Sequence, residues 1–289
     1  MFTSVEWRSD RAILNDLTFR LEHFRSDAWD GGDNHFRFYK VKHLVDQYES
    51  FFKRHPSFKP KNIFELGIYD GGSTAFWFEL LAPSKLVAID FLDRDDNEYY
   101  KQWLAARSLQ NRVKTQWRTN QADKSELRRL VKTELDGRLD LVIDDASHLY
   151  ATTKASFEAL FPFCPPGAIY IIEDWAWDHW EAFSNPAHEW VNQQRLTDLV
   201  IELVEAAGTS ASIISGIEVF QGFIAIERGP AALDPDAEFS LDKLILRRPV
   251  VNTLAASTKQ FVAQRVGAST SPFIRTLKNL VRPFIPRRR

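Results

Sequence analysis

A regular alternation of short apolar runs and amphipathic segments between Lys61 and Asp174 constrains the fold of this chain more than any other feature. Apolar runs bounded by turn residues are typical of strands that are buried on both faces, and the segments between them have helical spacing. Strands are predicted at 62–66, 86–90, 112–117, 139–143 and 168–172, and helices at 73–81, 98–108, 124–135 and 151–161. Repeated strand–helix units need right-handed crossovers, so the five strands should form one parallel sheet.

The flanking segments complete the predicted architecture. Ala187–Ala207 has the pattern of one more amphipathic helix, and Gln221-Gly222 between two apolar runs predicts a hairpin. Five parallel strands closed by an antiparallel hairpin form the class I methyltransferase arrangement, a Rossmann-like α/β fold. Arg11–Phe24 and Arg37–Phe52 are predicted as helices of an N-terminal helical layer. The predicted units are a helical cap at 1–60, a core at 61–228 and a C-terminal extension at 229–289.

Acidic residues follow the last two predicted strands. Asp144, Asp145 and His148 come after the fourth strand, and Glu173 and Asp174 end the fifth. Parallel strands deliver their carboxyl ends to one crevice, which is where ligands bind in open α/β sheets. Clustered carboxylates repel one another unless a cation joins them, and oxygen ligands suit magnesium or manganese. The pattern predicts a metal-assisted site in which the histidine is either a ligand or a base.

A glycine-rich loop follows the first strand of the core. Gly67 and Gly71 allow a sharp turn and a close approach to a ligand, and the spacing Gly-x-x-x-Gly-Gly differs from that of dinucleotide binders. Asp90 ends the second strand, where a carboxylate can accept ribose hydroxyls. Glu65 suits a cationic amino-acid group better than a phosphate. These residues favour S-adenosylmethionine as the cofactor. Its predicted contacts are Glu65, Gly67, Gly71, Ser73, Asp90, Asp123 and Asp144.

Composition narrows the class of protein. A net charge of −2 argues against a nucleic-acid binder, which usually has a basic excess. A single cysteine suits a reducing compartment, and the absence of a long apolar run favours a cytoplasmic protein. The tail from Pro272 is both basic and apolar; a solvated terminus is favoured, with weak contact to a membrane surface as the alternative. A homo-oligomer is expected.

The motifs at 64–73, 143–148 and 172–175 resemble those of metal-dependent sugar O-methyltransferases of macrolide biosynthesis, of the mycinamicin and macrocin type. The related cephalosporin-hydroxylase-like family is similar, and the segment 38–49 resembles the helix before the glycine loop in these families. The resemblance implies that Asp145, Glu173 and Asp174 bind magnesium and that His148 is the general base. Ala146 stands where the family motif has glycine.

The resemblance implies methylation of a sugar hydroxyl on a saccharide or glycosylated natural product. Adjacent strand residues face opposite sides, so Asp144 should brace the loop or the cofactor side while Asp145 faces the metal. Asp145 and His148 are the predicted catalytic residues. Asp145 would hold the metal that acidifies the hydroxyl, and His148 would take up the proton that the hydroxyl loses. Aromatic residues after the fifth strand are candidates for stacking on the sugar, and the substrate contacts are predicted as Trp175, Trp177 and His179.

Two other functions remain open from the sequence. An iron-dependent hydroxylase of the cephalosporin-hydroxylase-like type would need two histidines and one carboxylate, and His179 is the nearest candidate for the second histidine. A non-catalytic subunit that binds a saccharide or a cofactor is the alternative outside the enzymes.

Overall fold

Two sheets organise the computed structural model, which describes residues 2–22, 33–183 and 190–246. The strands are β1 (Val5–Trp7), β2 (Arg11–Leu14), β3 (Leu17–Leu21), β4 (Phe36–Phe38), β5 (Asn62–Leu66), β6 (Lys85–Ile89), β7 (Val113–Gln116), β8 (Leu141–Asp144), β9 (Ile169–Glu173), β10 (Ile214–Val219) and β11 (Phe223–Arg228). The helices are α1 (Lys42–Arg54), α2 (Gly72–Leu81), α3 (Glu98–Ala106), α4 (Lys124–Glu134), α5 (Tyr150–Leu160) and α6 (Leu196–Thr209). Every predicted strand and helix of the core is therefore present, with ends that differ by a few residues.

The larger sheet has seven strands in the order β10-β11-β9-β8-β5-β6-β7. The five strands from β7 to β9 are parallel, and β11 pairs antiparallel with both β9 and β10. This arrangement confirms the predicted parallel sheet and the predicted hairpin. The chain runs outward in both directions from β5 and β8, so the crossovers diverge between these two strands. That divergence opens a crevice at their carboxyl ends.

The sheet is buried on both faces because its strands are apolar at nearly every position. On one face Ile63, Ile143 and Ile171 pack in the cluster that also holds the smaller sheet. On the other face Phe64 and Val142 pack against the helices α4, α5 and α6. An apolar strand with no polar side can only be stable between two layers, so the sequence of each strand already requires the helices that cover it.

The N-terminal helical layer that the sequence predicted is wrong. Residues 5–38 contain four strands instead, with β1, β2 and β3 antiparallel and β3 parallel to β4. The apolar side chains from Ala12 to Leu21 are buried with a period of two on either side of a turn at Asn15, which has a φ of 55°. The turn shifts the period by one residue, and that shift imitates helical spacing. Only the second predicted helix exists, as α1.

The smaller sheet packs on α2 through aromatic rings. The ring of Phe19 contacts the rings of Phe36 and Phe76 at centroid distances of 5.4 and 5.5 Å. The backbone of β4 also passes very close to the start of α2, because a Cβ on Gly72 would lie 1.9 Å from the carbonyl oxygen of Arg37. This contact holds the segment after β4 against the glycine loop, at the carboxyl edge of the main sheet.

The C-terminal half differs from the prediction at the start of its long helix. The first residues of the helix predicted at Ala187–Ala207 lie outside the described residues; 190–195 form turns and coil, and α6 begins at Leu196. The basic tail after Pro272 lies outside the described residues. Within the described ranges, no helix is both long enough and apolar enough to cross a membrane.

Candidate active site

A cavity of about 1030 Å³ opens at the carboxyl edge of the main sheet. The segments that follow β5, β6, β8 and β9 all contribute to its wall, so it lies at the point where the crossovers diverge. Its lining includes Tyr39, Lys40, His43, Gly67, Tyr69, Ser73, Asp90, Phe91, Asn120, Gln121, Asp145, His148, Glu173, Asp174, Trp180 and Gln221. The crevice expected from the sequence therefore exists, and the predicted acidic residues and histidine meet in it.

Three side chains form a potential cation site in this cavity. One ligand atom from each of Asp145, His148 and Asp174 lies within 4.8 Å of the others. The imidazole Nε2 of His148 is 4.0 Å from Oδ1 of Asp145. Two carboxylates and one imidazole are ligands that magnesium and manganese accept. The donor set thus fits a divalent cation bound at the ends of β8 and β9.

The backbone at this cluster is strained. His148 and Asp174 have φ angles of 54° and 51°, in the left-handed region that non-glycine residues rarely adopt. Neighbouring groups hold both conformations, since the indole Nε1 of Trp177 donates to the carbonyl of His148 at 2.8 Å and the amide of Asp174 donates to the carbonyl of Gly222 at 2.8 Å. Such strain is retained where it orients functional side chains.

Glu173, predicted as a metal ligand, lies outside the three-residue cluster. Its two carboxylate oxygens accept hydrogen bonds from the ammonium of Lys40 at 2.7 and 2.8 Å, and Oε1 also accepts from the hydroxyl of Tyr48 at 2.7 Å. Burial raises the pKa of Glu173, as does the negative charge of Asp145. Glu173 lines the cavity beside the three-residue cluster, and its role as a metal ligand stays a prediction.

The glycine loop is shaped by close backbone approach. Gly67 has a φ of 100°, and a Cβ there would lie 2.1 Å from the carbonyl oxygen of Asp145. Gly71 has a φ of 88°, and a Cβ there would lie 2.4 Å from the ring of Tyr100. Both glycines are thus required by the fold, but only Gly67 lines the cavity, together with the predicted Ser73.

Asp90 lines the cavity and also holds the glycine loop. Its Oδ2 accepts hydrogen bonds from the amides of Ile68 and Tyr69 at 2.8 and 2.7 Å, and its Oδ1 accepts from the amide of Leu92 at 2.8 Å. A carboxylate oxygen accepts about two hydrogen bonds, so Oδ1 has one site left for a ligand. Asp90 can therefore support the glycine loop and contact a ligand at the same time.

Glu65 is wholly buried and lies outside the cavity lining. Its Oε2 accepts a hydrogen bond from the hydroxyl of Thr74 at 2.6 Å, whereas its Oε1 has no partner in the described part of the chain. Burial raises the pKa of Glu65 to about 7. The predicted contact of Glu65 with the cofactor stays a prediction.

Two further predicted cofactor contacts have structural roles instead. Asp123 is exposed and caps α4 by accepting hydrogen bonds from the amides of Ser125 and Glu126. Asp144 is buried and accepts from Gln121 at 2.6 Å and from Ser156 at 2.6 Å, and burial raises its pKa to about 6. Neither lines the cavity. Asp144 instead holds the side chain of Gln121, which lines the cavity. This contact agrees with the predicted bracing role of Asp144.

The predicted substrate residues Trp175, Trp177 and His179 are not among the described residues that line the cavity. The indole of Trp175 donates to the carbonyl of Phe220 at 2.8 Å, Trp177 is buried, and His179 contacts the hydroxyl of Thr197 at 3.0 Å. The aromatic residue of this segment that does line the cavity is Trp180, with 38% of its surface exposed. The stacking role of Trp175, Trp177 and His179 stays a prediction, and Trp180 is a further aromatic residue at the cavity.

The sequence reasoning assigned no role to several residues that build the site. Lys40 and Tyr48 bind Glu173, and the side chain of Gln47 accepts from the amide of Gly222 at 2.9 Å. All three lie between β4 and the end of α1. The sequence signal for these three residues is the similarity of the segment 38–49 to the helix before the glycine loop in related families.

Comparison with known proteins agrees with this architecture. Residues 64–175 match a family model described as a methyltransferase domain. Mycinamicin VI 2''-O-methyltransferase of Micromonospora griseorubida is 31% identical over 119 residues, which are 41% of this chain and 26% of that protein. L-olivosyl-oleandolide 3-O-methyltransferase of Streptomyces antibioticus is 28% identical over 181 residues, which are 60% of this chain and 40% of that protein. The chain thus spans less than half the length of each of these relatives.

A solved structure shows the same fold. MycE, a methyltransferase from the mycinamycin biosynthetic pathway in complex with Mg and SAH, superposes with a TM-score of 0.50 and 22% identity. The superposition covers 76% of this chain and 56% of that one. The predicted class I methyltransferase fold is confirmed. Residues 64–175 are thus similar to a methyltransferase domain, and the two relatives are named as O-methyltransferases.

Proposed function

We propose that this chain transfers a methyl group from S-adenosylmethionine to a sugar hydroxyl of a glycosylated natural product, with a divalent cation at Asp145 and Asp174 and with His148 as the general base. The observation that carries the proposal is the meeting of these three side chains in a cavity bounded by the glycine loop. The named relatives that methylate sugars of antibiotics support the substrate class.

The cavity fits the cofactor on the side of β5 and β6. Gly67 lines this part of the cavity, Asp90 has one free acceptor site, and Phe91 exposes 73% of its surface beside it. Gln121 adds a polar group held in place by Asp144. Bound S-adenosylmethionine would supply an electrophilic methyl group on a sulfonium sulfur. The chain's part is to hold that methyl group toward the acidic cluster.

The acidic cluster fits a magnesium or manganese ion. Asp145 and Asp174 supply carboxylate oxygens, and the strained backbone at Asp174 turns its side chain toward the end of β8. A bound cation would make an acceptor hydroxyl more acidic and fix its position. The two carboxylates would also exclude other anions from this part of the cavity, which leaves a neutral hydroxyl as the favoured acceptor.

His148 is placed to take the proton that the acceptor hydroxyl loses. Its ring is 21% exposed, lines the cavity and faces Asp145. A neutral imidazole that is not bound to the metal can accept a proton at Nε2. The hydrogen bond from Trp177 to the carbonyl of His148 fixes the backbone from which the ring projects. A positioned base of this kind contributes about 10²–10⁴-fold to a rate.

The side of the cavity beyond the acidic cluster suits a sugar. Trp180 offers an exposed indole, and the imidazole of His43 lies 3.1 Å from the side-chain oxygen of Gln221. An aromatic face next to amide and imidazole groups is able to stack on a sugar ring and bind its hydroxyls. An iron-dependent hydroxylase would use two histidines and one carboxylate, whereas the cluster in the described residues has one histidine and two carboxylates.

The proposal is tested by incubating the protein with methyl-labelled S-adenosylmethionine, magnesium and a panel of glycosylated macrolides and polyketides. We expect label in a sugar methoxy group, S-adenosylhomocysteine as the second product, and loss of transfer when a chelator removes the metal. The same mixture with Asp174→Asn is the control for the metal site. Full transfer in excess chelator would refute the role of the cation, and binding of S-adenosylhomocysteine without transfer to any glycoside would refute the substrate class.

A further inference from the structure

We infer that Gln47 is a positioning residue for the cation site: through the backbone of Gly222 it holds Asp174 in the conformation that brings its carboxylate into the cluster. This inference rests on the proposed function, because it concerns how the proposed site binds its cation. Gln47 and Gly222 both lie outside residues 64–175, which match the methyltransferase-domain model. The geometry of one metal ligand would then depend on parts of the chain that flank the matched residues.

Gly222 joins helix α1 to the end of β9 through its own backbone. Its amide donates to Oε1 of Gln47 at 2.9 Å, and its carbonyl accepts from the amide of Asp174 at 2.8 Å. The two hydrogen bonds lie on adjacent peptide units, each of which is planar and stiff. A single residue therefore connects the side chain of the helix to the backbone of the ligand.

The register of the strands explains why this contact falls at Asp174. Phe223 of β11 lies opposite Glu173 of β9, so Gly222 and Asp174 are the next two residues beyond the last regular pair. Asp174 leaves the strand at this point, with a φ of 51° in the left-handed region. A residue with a Cβ keeps such a conformation only where its surroundings fix it. Here the carbonyl of Gly222 fixes its amide, and the amide of Trp177 donates to its carbonyl at 3.2 Å.

Helix α1 is a firm support for the turn between β10 and β11. The ring of Tyr48 stacks on that of Phe223 at a centroid distance of 4.3 Å. Phe51, one helical turn further along, contacts the rings of Phe220 and Phe223 at 6.3 Å each. Because these buried rings hold the helix against the hairpin, the side chain of Gln47 stays beside the turn.

The side chain of Gln47 has no net charge, so its effect on a cation must come through geometry. Replacing it by another neutral side chain changes the position of Asp174 but leaves the charge of the site as it was. The cofactor side of the cavity should not respond, because Gly67 and Asp90 follow β5 and β6, and β8 lies between these strands and β9. A change in cation affinity alone is therefore the expected sign of a positioning role.

Electron paramagnetic resonance during titration of the full chain with Mn²⁺ measures cation affinity without any turnover. Gln47→Met keeps the length of the side chain and removes the acceptor, so Mn²⁺ should bind about tenfold more weakly, the lower end of the usual effect of losing a contact that orients a metal ligand. Gln47→Glu keeps an acceptor oxygen for the amide of Gly222 and should bind Mn²⁺ at least as tightly as the wild type. Gln102→Met is the matched control, since Gln102 is an exposed residue of α3, and it should leave the affinity unchanged.

Calorimetry with S-adenosylhomocysteine on the same variants separates positioning from a general loss of structure. Its affinity should be the same in Gln47→Met as in the wild type. Wild-type Mn²⁺ affinity in Gln47→Met, equal weakening in Gln47→Met and Gln47→Glu, or a parallel loss of S-adenosylhomocysteine binding would overturn the inference. A wild-type protein that binds no Mn²⁺ would instead overturn the proposed cation site itself.

Discussion

Replacing Gly67 by alanine should both destabilise the protein and disturb the cation site. The reason is the close approach of the Asp145 backbone, and its effect can be measured separately from that of backbone strain. Gly67 has a φ of 100°, and an added Cβ would lie 2.1 Å from the carbonyl oxygen of Asp145. The strand ends of β5 and β8 would have to separate by about 1.3 Å, the difference between that distance and the 3.4 Å at which ordinary contact begins. This movement displaces Asp145, a predicted ligand.

The magnitude follows from two contributions. A left-handed conformation costs a residue with a Cβ about 1–2 kcal/mol. Forcing extra atoms into a closely packed place costs about 1–3 kcal/mol more. Gly137→Ala is the matched control, because Gly137 also has a positive φ, of 69°, and a Cβ there would have nothing within 4 Å. Gly137→Ala should therefore be destabilised only by the cost of the left-handed conformation.

Urea denaturation and calorimetry of both variants give the comparison. We expect Gly67→Ala to be about 2 kcal/mol less stable than Gly137→Ala, which is a difference of roughly 4–8 °C in Tm for a chain of this size. Mn²⁺ affinity should fall about tenfold in Gly67→Ala, as expected for a ligand shifted by an ångström, and stay unchanged in the control. Equal stability of the two variants, or wild-type Mn²⁺ affinity in Gly67→Ala, would refute the argument from close approach.

Three further predictions concern individual side chains. His148→Asn, chosen because asparagine tolerates the positive φ of this position, should lower turnover by about 10²–10⁴-fold if His148 is the base. Its Mn²⁺ affinity should then change little, and a large loss of affinity would show that His148 is a ligand. Asp90→Ala removes the acceptor for three loop amides and should weaken S-adenosylhomocysteine binding by about 1–3 kcal/mol in calorimetry; unchanged binding would contradict its role. Burial raises the pKa of Cys164 to about 12, so the single thiol of the chain should resist a disulfide reagent in the native protein and react only after denaturation; rapid labelling of native protein would contradict its burial.

The main sheet could be predicted because the residues of each strand and helix are enough to indicate that element. The strands β5, β6, β8 and β9 are apolar runs whose composition alone indicates that they are buried, and each helix between the strands has its own periodicity. The glycines of the loop and the acidic residues after β8 and β9 lie at the ends of these elements. Parallel strands bring such ends together whatever the details of packing, so the meeting of Asp145, His148 and Asp174 followed from the order of elements alone.

The smaller sheet and the partners of the site residues could not be predicted, because they depend on contacts between distant parts of the chain. Short strands such as β2 and β3 have too few residues to separate a period of two from a helical period across a turn. The pairing of Glu173 with Lys40, 133 positions away in sequence, is one such contact. Trp175 and Trp177 likewise face inward because their indoles find backbone carbonyls there. The sequence thus determined which chemistry reaches the cavity edge, and tertiary packing decided which of those groups stay free to act, since a buried polar group must first be paired.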